Sequence, residues 1–546
     1  MANDLLIAGA DINVSTTNSN RSRSGLAPYT GTFGKKELIH LLKRTMLGVS
    51  QDDINHFAGM SLQQVVTALL TQGPAPSPPV KHYSNTNDNA TVALGQTWVN
   101  AAFDGNLLVP RGISLKAWWM GQMINQPRTI EEKMVLFWHN LFATEIAIYN
   151  DARYGYQYIN TIRQYCMGDY KALTKAITLA PAMLKYLNGY LNRKGSPDEN
   201  YARELQELFT VGKALNPHYT EQDVIEAAKI LTGYQDDPTN ISYVFNPARH
   251  ETGNKTFSSF YSNPVTTITG RTGNAGQDEL DDLLNLIFAH PEVAKHIVRK
   301  LYIDFVYYKI DADVESNVIE PLADTFRNNN YNILPVLQQL ILSEHFFDNE
   351  NKACFIKPSV NFLVSFAREW KLVFPTTSDL ATLYDMWFVA QQYASTMQQN
   401  LFDPPSVAGW PAFHQEPSFH RLWINSDTLP KRNQFTDFIL YVGYTKNGKR
   451  LQADPLALAA GFSNPSDPNI LIDDSLDLFY TIPVSTNLKT YLKSILLSGQ
   501  SQDYYWTNAW VDYVNDPTNT SKKNIVLTRL QSMYKYIMNL SEYHLM

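Results

Sequence analysis

The chain has 546 residues, of which 44% are hydrophobic and 18% charged, a balance typical of a well-packed globular protein. Its net charge of −7 argues against nucleic acid as a main partner. The two cysteines exclude a disulfide framework and a cysteine-based zinc site, and the absence of a long apolar run predicts no transmembrane segment.

The N-terminal residues predict an extended arm and no export signal. Asp4 and a short apolar stretch do not form a signal peptide, so the default expectation is a cytoplasmic protein. Residues 1–32 are polar and rich in Ser, Thr and Asn, which favours an extended arm. We expect residues 33–430 to form a helical core and residues 431–546 to form a C-terminal helical extension packed on it.

Apolar residues at three- and four-residue spacing predict helices along most of the chain. The predicted helices cover residues 34–45, 61–71, 112–125, 129–144, 154–166, 170–187 with a break at Pro181, 220–231, 277–289, 291–308, 314–328, 334–342, 357–370, 382–397 and 522–540. Thr129 and Glu132 have the spacing of a capping box, and so do Thr220 and Asp223. One patch differs: residues 242–245 and 255–257 predict a small β-hairpin with a polar loop. The fold class is therefore mainly α, a large multi-helix globular domain with a small β-hairpin element.

The stretch 197–212 is the most densely charged of the predicted helices. Its apolar side carries Tyr201, Leu205, Leu208 and Phe209, and its polar side carries Glu199, Asn200, Arg203, Glu204 and Glu207. The polar side has two interpretations. It is either a solvated face with ion pairs, or a buried face on which Arg203 orients carboxylates and Glu204 and Glu207 share a metal.

Other polar residues also allow a structural and a functional interpretation. His139 lies in an apolar helix, where it is either a buried core residue or a functional residue, acting as a metal ligand or general base. His250 lies in a polar loop beside Arg249. The acidic residues at 278, 279, 281 and 282 either stabilise a helix start or bind a hard cation. Trp410 either pins a proline-rich loop to the core or stacks on a ligand.

Seven segments, taken together, resemble the bacterial "domain of unknown function 1800" family. They are HLLKRT at 40–45, WHNLFAT at 138–144, ENYARELQELF at 199–209, YTEQDV at 219–224, FNPARH at 245–250, GQDELD at 276–281 and LFDPPSVAGWP at 401–411. The resemblance covers about residues 34–433 and implies no settled activity. It implies relatives that often look exported, and a possible partner, a sulfatase- or phosphatase-like protein from a neighbouring gene.

Two functions follow as expectations. The first is a metal-assisted hydrolase or group-transfer enzyme with a polar pocket between the 138–144 segment, the 197–212 helix and the His250 loop. Its expected catalytic residues are His139, Arg203, Glu207 and His250. A divalent metal, as the cofactor, would bind His139, Glu204 and Glu207, and substrate would contact Asn140, Asn200, Arg249 and Trp410. The alternative is a non-enzymatic binding or assembly protein acting with a partner protein.

Overall fold

A computed structural model describes residues 25–84, 91–213, 218–262 and 265–546. Most of the predicted N-terminal arm therefore lies outside the described residues. Its last part contacts the core, because the Tyr29 backbone N–H donates to the Leu342 carbonyl at 2.8 Å. The described chain is mainly helical, which confirms the predicted class.

Helices are the main regular elements in the first half of the chain, and most of them lie where periodicity predicts them. Pro181 begins a new helix, as expected for a residue without a backbone N–H. Two short helices, Gln51–Phe57 and Ile146–Tyr149, were not predicted. The helices are Lys35–Thr45, Gln51–Phe57, Leu62–Leu69, Leu108–Ile124, Glu131–Leu141, Ile146–Tyr149, Ala152–Tyr165, Tyr170–Thr178, Pro181–Tyr186, Asn200–Glu207 and Glu221–Ile230.

The second half continues the helical architecture into the C-terminal extension. Its helices are Glu279–Ala289, Pro291–Phe305, Ala312–Val314, Glu320–Asn328, Ile333–Ile341, Ser359–Glu369, Leu380–Thr396, Thr428–Asp437, Pro455–Ala460, Pro468–Phe479, Thr486–Leu496, Tyr504–Asn515 and Thr520–Asn539. After the last helix the chain returns to the core, where the Lys357 N–H donates to the His544 carbonyl at 2.8 Å.

The predicted hairpin pairing is wrong. Strand Ser242–Phe245 pairs antiparallel with Tyr234–Asp237, and Lys255–Thr256 pairs with Thr267–Ile268. A turn after Asp237 explains the first pairing, because its carboxylate accepts N–H bonds from the two residues that follow Pro238. A third antiparallel pair, Tyr444–Lys446 with Lys449–Leu451, lies in the C-terminal extension.

One of the two predicted capping boxes forms. Thr220 and Asp223 cap the helix Glu221–Ile230 reciprocally, as predicted. Thr129 and Glu132 do not, because Glu132 is buried and accepts from Arg163 at 2.6 Å and from the Trp119 indole at 3.1 Å. A buried ion pair leaves that carboxylate no freedom to reach back to the helix start. The helix Glu131–Leu141 is buried along its whole length, whereas its apolar pattern predicts burial only for its second half.

Candidate functional site

The structure places the predicted site residues in three separate groups. The groups are His139, Asn140 and Trp410; then Asn200, Arg203, Glu204 and Glu207; and then Arg249 and His250. No hydrogen bond or ion pair joins one group to another within the described ranges. The described residues also hold no group of three or more His, Cys, Asp or Glu side chains placed to bind a metal ion.

His139 is fully buried among aromatic rings. Its ring lies 5.0 Å from Trp119, 5.4 Å from Phe402 and 5.8 Å from Trp410, measured between centroids. Neither ring nitrogen has a hydrogen-bond partner among the described residues. Burial, reinforced by the positive charge of Lys116, lowers the pKa of His139 to about 3. The imidazole is therefore neutral at neutral pH.

The loop 401–411 is fastened to the end of the His139 helix. The Trp410 N–H donates to Asn140 Oδ1 at 2.9 Å. Gly409 has a φ of +85°, and a Cβ there would lie 2.4 Å from the Asn140 backbone oxygen. Trp410 is only 1% exposed, so it pins the loop to the core and presents no open ring face.

The central helix is shorter than the predicted 197–212 stretch and its polar side is largely solvated. Arg203 donates twice to Glu221, at 2.9 and 2.6 Å, and once to Glu199 at 3.3 Å. These three side chains are 31%, 73% and 43% exposed. Asn200 is also exposed, at the start of the helix.

The two carboxylates at the end of this helix are more enclosed. Glu207 pairs with Lys213 at 2.5 Å, and its side chain is 12% exposed. Burial raises the pKa of Glu204, and the negative charge of Glu207 raises it further. After Glu207 the chain turns, and Gly212 adopts a φ of +84° that favours glycine.

His250 belongs to a buried ion cluster, defined here as His250, Lys255 and Glu279. Lys255 Nζ lies 2.5 Å from Glu279 Oε2, and His250 Nε2 lies 3.2 Å from Glu279 Oε1. All three are at most 1% exposed. Burial alone would raise the pKa of Glu279, but the contacts with His250 and Lys255 and the Arg271 N–H lower it.

Two further members of the predicted acidic cluster, and Arg249, have structural partners too. Asp281 pairs with Lys175 at 2.6 Å and Asp282 pairs with Arg271 at 2.6 Å. Arg249 donates to the Leu191 carbonyl at 3.1 Å. The contacts of Arg271 and Arg249 tie the strand-rich segment to the elements around it.

A different cluster, which the sequence pattern did not predict, lies next to residues that contact the first and second groups. We call it the Lys300 crevice, defined by Lys300 and His296 on the helix Pro291–Phe305 and by His414 after the 401–411 loop. Lys300 is partly exposed, and the surrounding protein lowers its pKa to about 8 by burial alone. It has no hydrogen-bond or ion-pair partner in the part of the chain that the structure describes.

The hydrogen bond of His296 fixes its tautomer. His296 Nε2 lies 3.0 Å from the Leu208 carbonyl oxygen, which can only accept, so Nε2 carries the hydrogen. Nδ1 is then the unprotonated nitrogen, and it faces Gly212, where a Cβ would lie 2.7 Å away. Burial, followed by the charge of Lys300, lowers the pKa of His296 to about 3.

His414 brings the 401–411 loop to the same place. Burial and the nearby positive charge of Lys300 lower the pKa of His414, whereas a hydrogen bond with the Gly409 backbone raises it. Gly409 contacts Asn140, and His296 contacts Leu208 and Gly212 at the end of the central helix. The crevice therefore lies where both predicted groups meet the helix Pro291–Phe305. The i, i+4 spacing of His296 and Lys300 was a visible signal that two polar groups share one helix face.

The described structure is that of a large, mainly α protein in which Lys300, on the helix Pro291–Phe305, is partly exposed and has no ion-pair partner among the described residues. Within the described residues, no helix is both long enough and apolar enough to span a membrane. The chain matches the model of the family described as "Protein of unknown function (DUF1800)" over residues 40–545, and it belongs to that family. No curated protein and no solved structure matched the chain. The matched span includes almost all of the C-terminal extension.

Proposed function

We propose that this protein is an enzyme of the hydrolytic or group-transfer class that binds the anionic group of a small substrate at the Lys300 crevice. One observation carries the proposal: the Lys300 ammonium is partly buried and has no counter-ion among the described residues. Partial burial of an unpaired charge is unfavourable, so an anion that binds beside Lys300 gains a partner.

The neighbours of Lys300 suit such a substrate. The positive charge of Lys300 lowers the pKa of both histidines. His296 is neutral, and its unprotonated Nδ1 faces Gly212. That nitrogen is free to accept a hydrogen bond from a water or a substrate hydroxyl. A pKa near 8 also lets Lys300 exchange a proton close to neutral pH, where general acid–base groups work best.

The residues predicted from sequence take different parts in this proposal. Asn140 and Trp410 hold the loop that carries His414, and the segment after Glu207 holds His296. Glu207 is paired with Lys213, and Glu204 lies beside Glu207, so neither is assigned a role at Lys300. His250 belongs to the buried ion cluster and Arg249 donates to the Leu191 carbonyl, so neither takes part.

The proposal is tested with p-nitrophenyl phosphate and p-nitrophenyl sulfate as substrates. We expect turnover of one ester by the wild-type protein and at least a roughly hundredfold lower kcat/KM in Lys300→Met, because a charge-assisted contact to substrate is lost. Lys295→Met is the matched control, since Lys295 lies on the same helix and pairs with Glu320 at 2.6 Å. Equal kcat/KM in wild type and Lys300→Met, or no turnover of either ester, contradicts the proposal.

The second candidate, a binding protein that acts with a partner, is favoured by exposed apolar side chains on the C-terminal helices. Tyr491, Tyr504, Val511, Val514 and Ile525 are each between 43% and 54% exposed. Exposed apolar groups on neighbouring helices are typical of interaction surfaces. Co-expression with a sulfatase- or phosphatase-like protein of the kind that the family resemblance implies tests this proposal. A stoichiometric complex that Val514→Asp disrupts supports it, and separate elution of the two proteins contradicts it.

A further inference from the structure

A cavity of about 430 Å³, open to solvent on one side, lies between the helices Leu108–Ile124 and Leu380–Thr396. Its volume is within the range of about 300–1,000 Å³ found for small-molecule sites. One side of the cavity is apolar and includes Ile113, Ile146 and Phe388. The other side is polar and includes Lys116, Gln391 and Asn400. None of these residues belongs to the Lys300 crevice.

The polar side is a hydrogen-bond network whose directions are fixed by two charges. Lys116 Nζ donates to Asn400 Oδ1 at 3.0 Å and to Asp403 Oδ2 at 2.5 Å. Because a lysine only donates and a carboxylate only accepts, Asn400 must turn its oxygen to Lys116 and its NH₂ to Asp403, 3.1 Å away. Gln391 therefore faces the Asn400 oxygen, which only accepts. It must turn its own NH₂ group to that oxygen, at a distance of 2.7 Å.

This network leaves one acceptor without a donor. Gln391 is 2% exposed, it lines the cavity, and its Oε1 has no hydrogen-bond partner among the described residues. An unpaired buried amide oxygen is unfavourable. The orientation of Gln391 cannot be reversed to relieve it, because its NH₂ group is required by Asn400.

We propose that this cavity binds a neutral molecule with an apolar body and a hydroxyl group. The hydroxyl donates to Gln391 Oε1, and the apolar body packs against Ile113, Ile146 and Phe388. A cation finds no unpaired carboxylate there, because Asp403 is paired with Lys116 and Asp151 is paired with Arg153. An anion has no hydrogen to donate to Gln391. The proposal is independent of the function proposed for the Lys300 crevice.

The test compares three ligands with the same ring: cyclohexanol, cyclohexylammonium and cyclohexanecarboxylate. Binding is measured by isothermal titration calorimetry on the full-length protein at neutral pH. We expect saturable binding of cyclohexanol, and a dissociation constant roughly tenfold or more below that of either ion. Equal or tighter binding of either ion, or no saturable binding of cyclohexanol, overturns the proposal.

Two variants locate the site. Gln391→Met removes the acceptor while keeping the side-chain length, and we expect it to weaken cyclohexanol binding roughly tenfold. Gln392→Met is the matched control, because Gln392 also lines the cavity but is exposed to solvent. Unchanged binding in Gln391→Met contradicts the assignment. If thermal melts show that Gln391→Met does not fold, the comparison of the three ligands on the wild-type protein decides.

Discussion

Glu279 lies at the centre of a buried ion cluster, with Lys255 at 2.5 Å and His250 at 3.2 Å. The charges of such a cluster compensate one another, so its net contribution to stability is small, but removing one member leaves another unpaired. The sequence pattern predicted His250 and Glu279 as functional candidates. It could not predict the cluster, because His250 and Lys255 reach Glu279 only through the tertiary fold.

We predict that Glu279→Gln lowers the free energy of unfolding by about 3–5 kcal/mol, because Lys255 is then buried without a carboxylate. Urea denaturation measures the change. Asp281→Asn is the control, since the Asp281–Lys175 pair is largely exposed, and we expect it to cost less than about 1 kcal/mol. Equal losses in both variants would contradict the buried charge cluster.

The folded-state pKa of Glu279 lies below the usual 4.5, so its stabilising contribution is present above about pH 4.5 and is lost as the pH falls below it.

The loop 401–411 is positioned by one close backbone contact, between Gly409 and Asn140. Periodicity predicted the helices on either side of the site, because amphipathic spacing is a local property of the chain. The docking of this loop on Asn140, and the partners of the two strands after Tyr234, depend on segments distant in sequence or on turn geometry. These features account for the missed crevice and for the wrong hairpin pairing.

We predict that Gly409→Ala destabilises the protein by more than about 2 kcal/mol. Its φ of +85° is unfavourable for alanine, and the new Cβ would lie 2.4 Å from the Asn140 backbone oxygen. Gly448→Ala is the matched control, because Gly448 has a φ of +76° but nothing within 4 Å of the added Cβ. Thermal melts of both variants separate backbone strain from the clash, and equal shifts in melting temperature would argue against tight docking of the loop.

At the scale of the whole molecule, we propose that the C-terminal extension folds as one unit with the core. The buried Tyr543 hydroxyl donates to the buried carboxylate of Glu369 at 3.0 Å, and the 355–357 segment pairs with the last residues of the chain. Lys35, in the first helix, forms an ion pair with Asp477 at 2.6 Å. The family match to residue 545 agrees with an extension that belongs to the same fold.

We predict a single unfolding transition, and a loss of about 1.5–3 kcal/mol in Tyr543→Phe because a buried carboxylate loses its donor. Tryptophan fluorescence and far-UV circular dichroism should give coincident curves, both shifted by the substitution. Tyr491→Phe is the control, since Tyr491 is 49% exposed. Two separate transitions, with only one shifted by Tyr543→Phe, would show that the extension unfolds independently.

The most direct test of the Lys300 crevice is an NMR titration of lysine Cε–Hε signals, with Lys300 assigned by its loss in Lys300→Met. We expect Lys300 to titrate near pH 8, against the usual 10.5, because burial disfavours its charged form. Added phosphate or sulfate should raise that pKa, since a bound anion stabilises the ammonium. A Lys300 signal that titrates near 10.5 and does not respond to either anion would contradict the account.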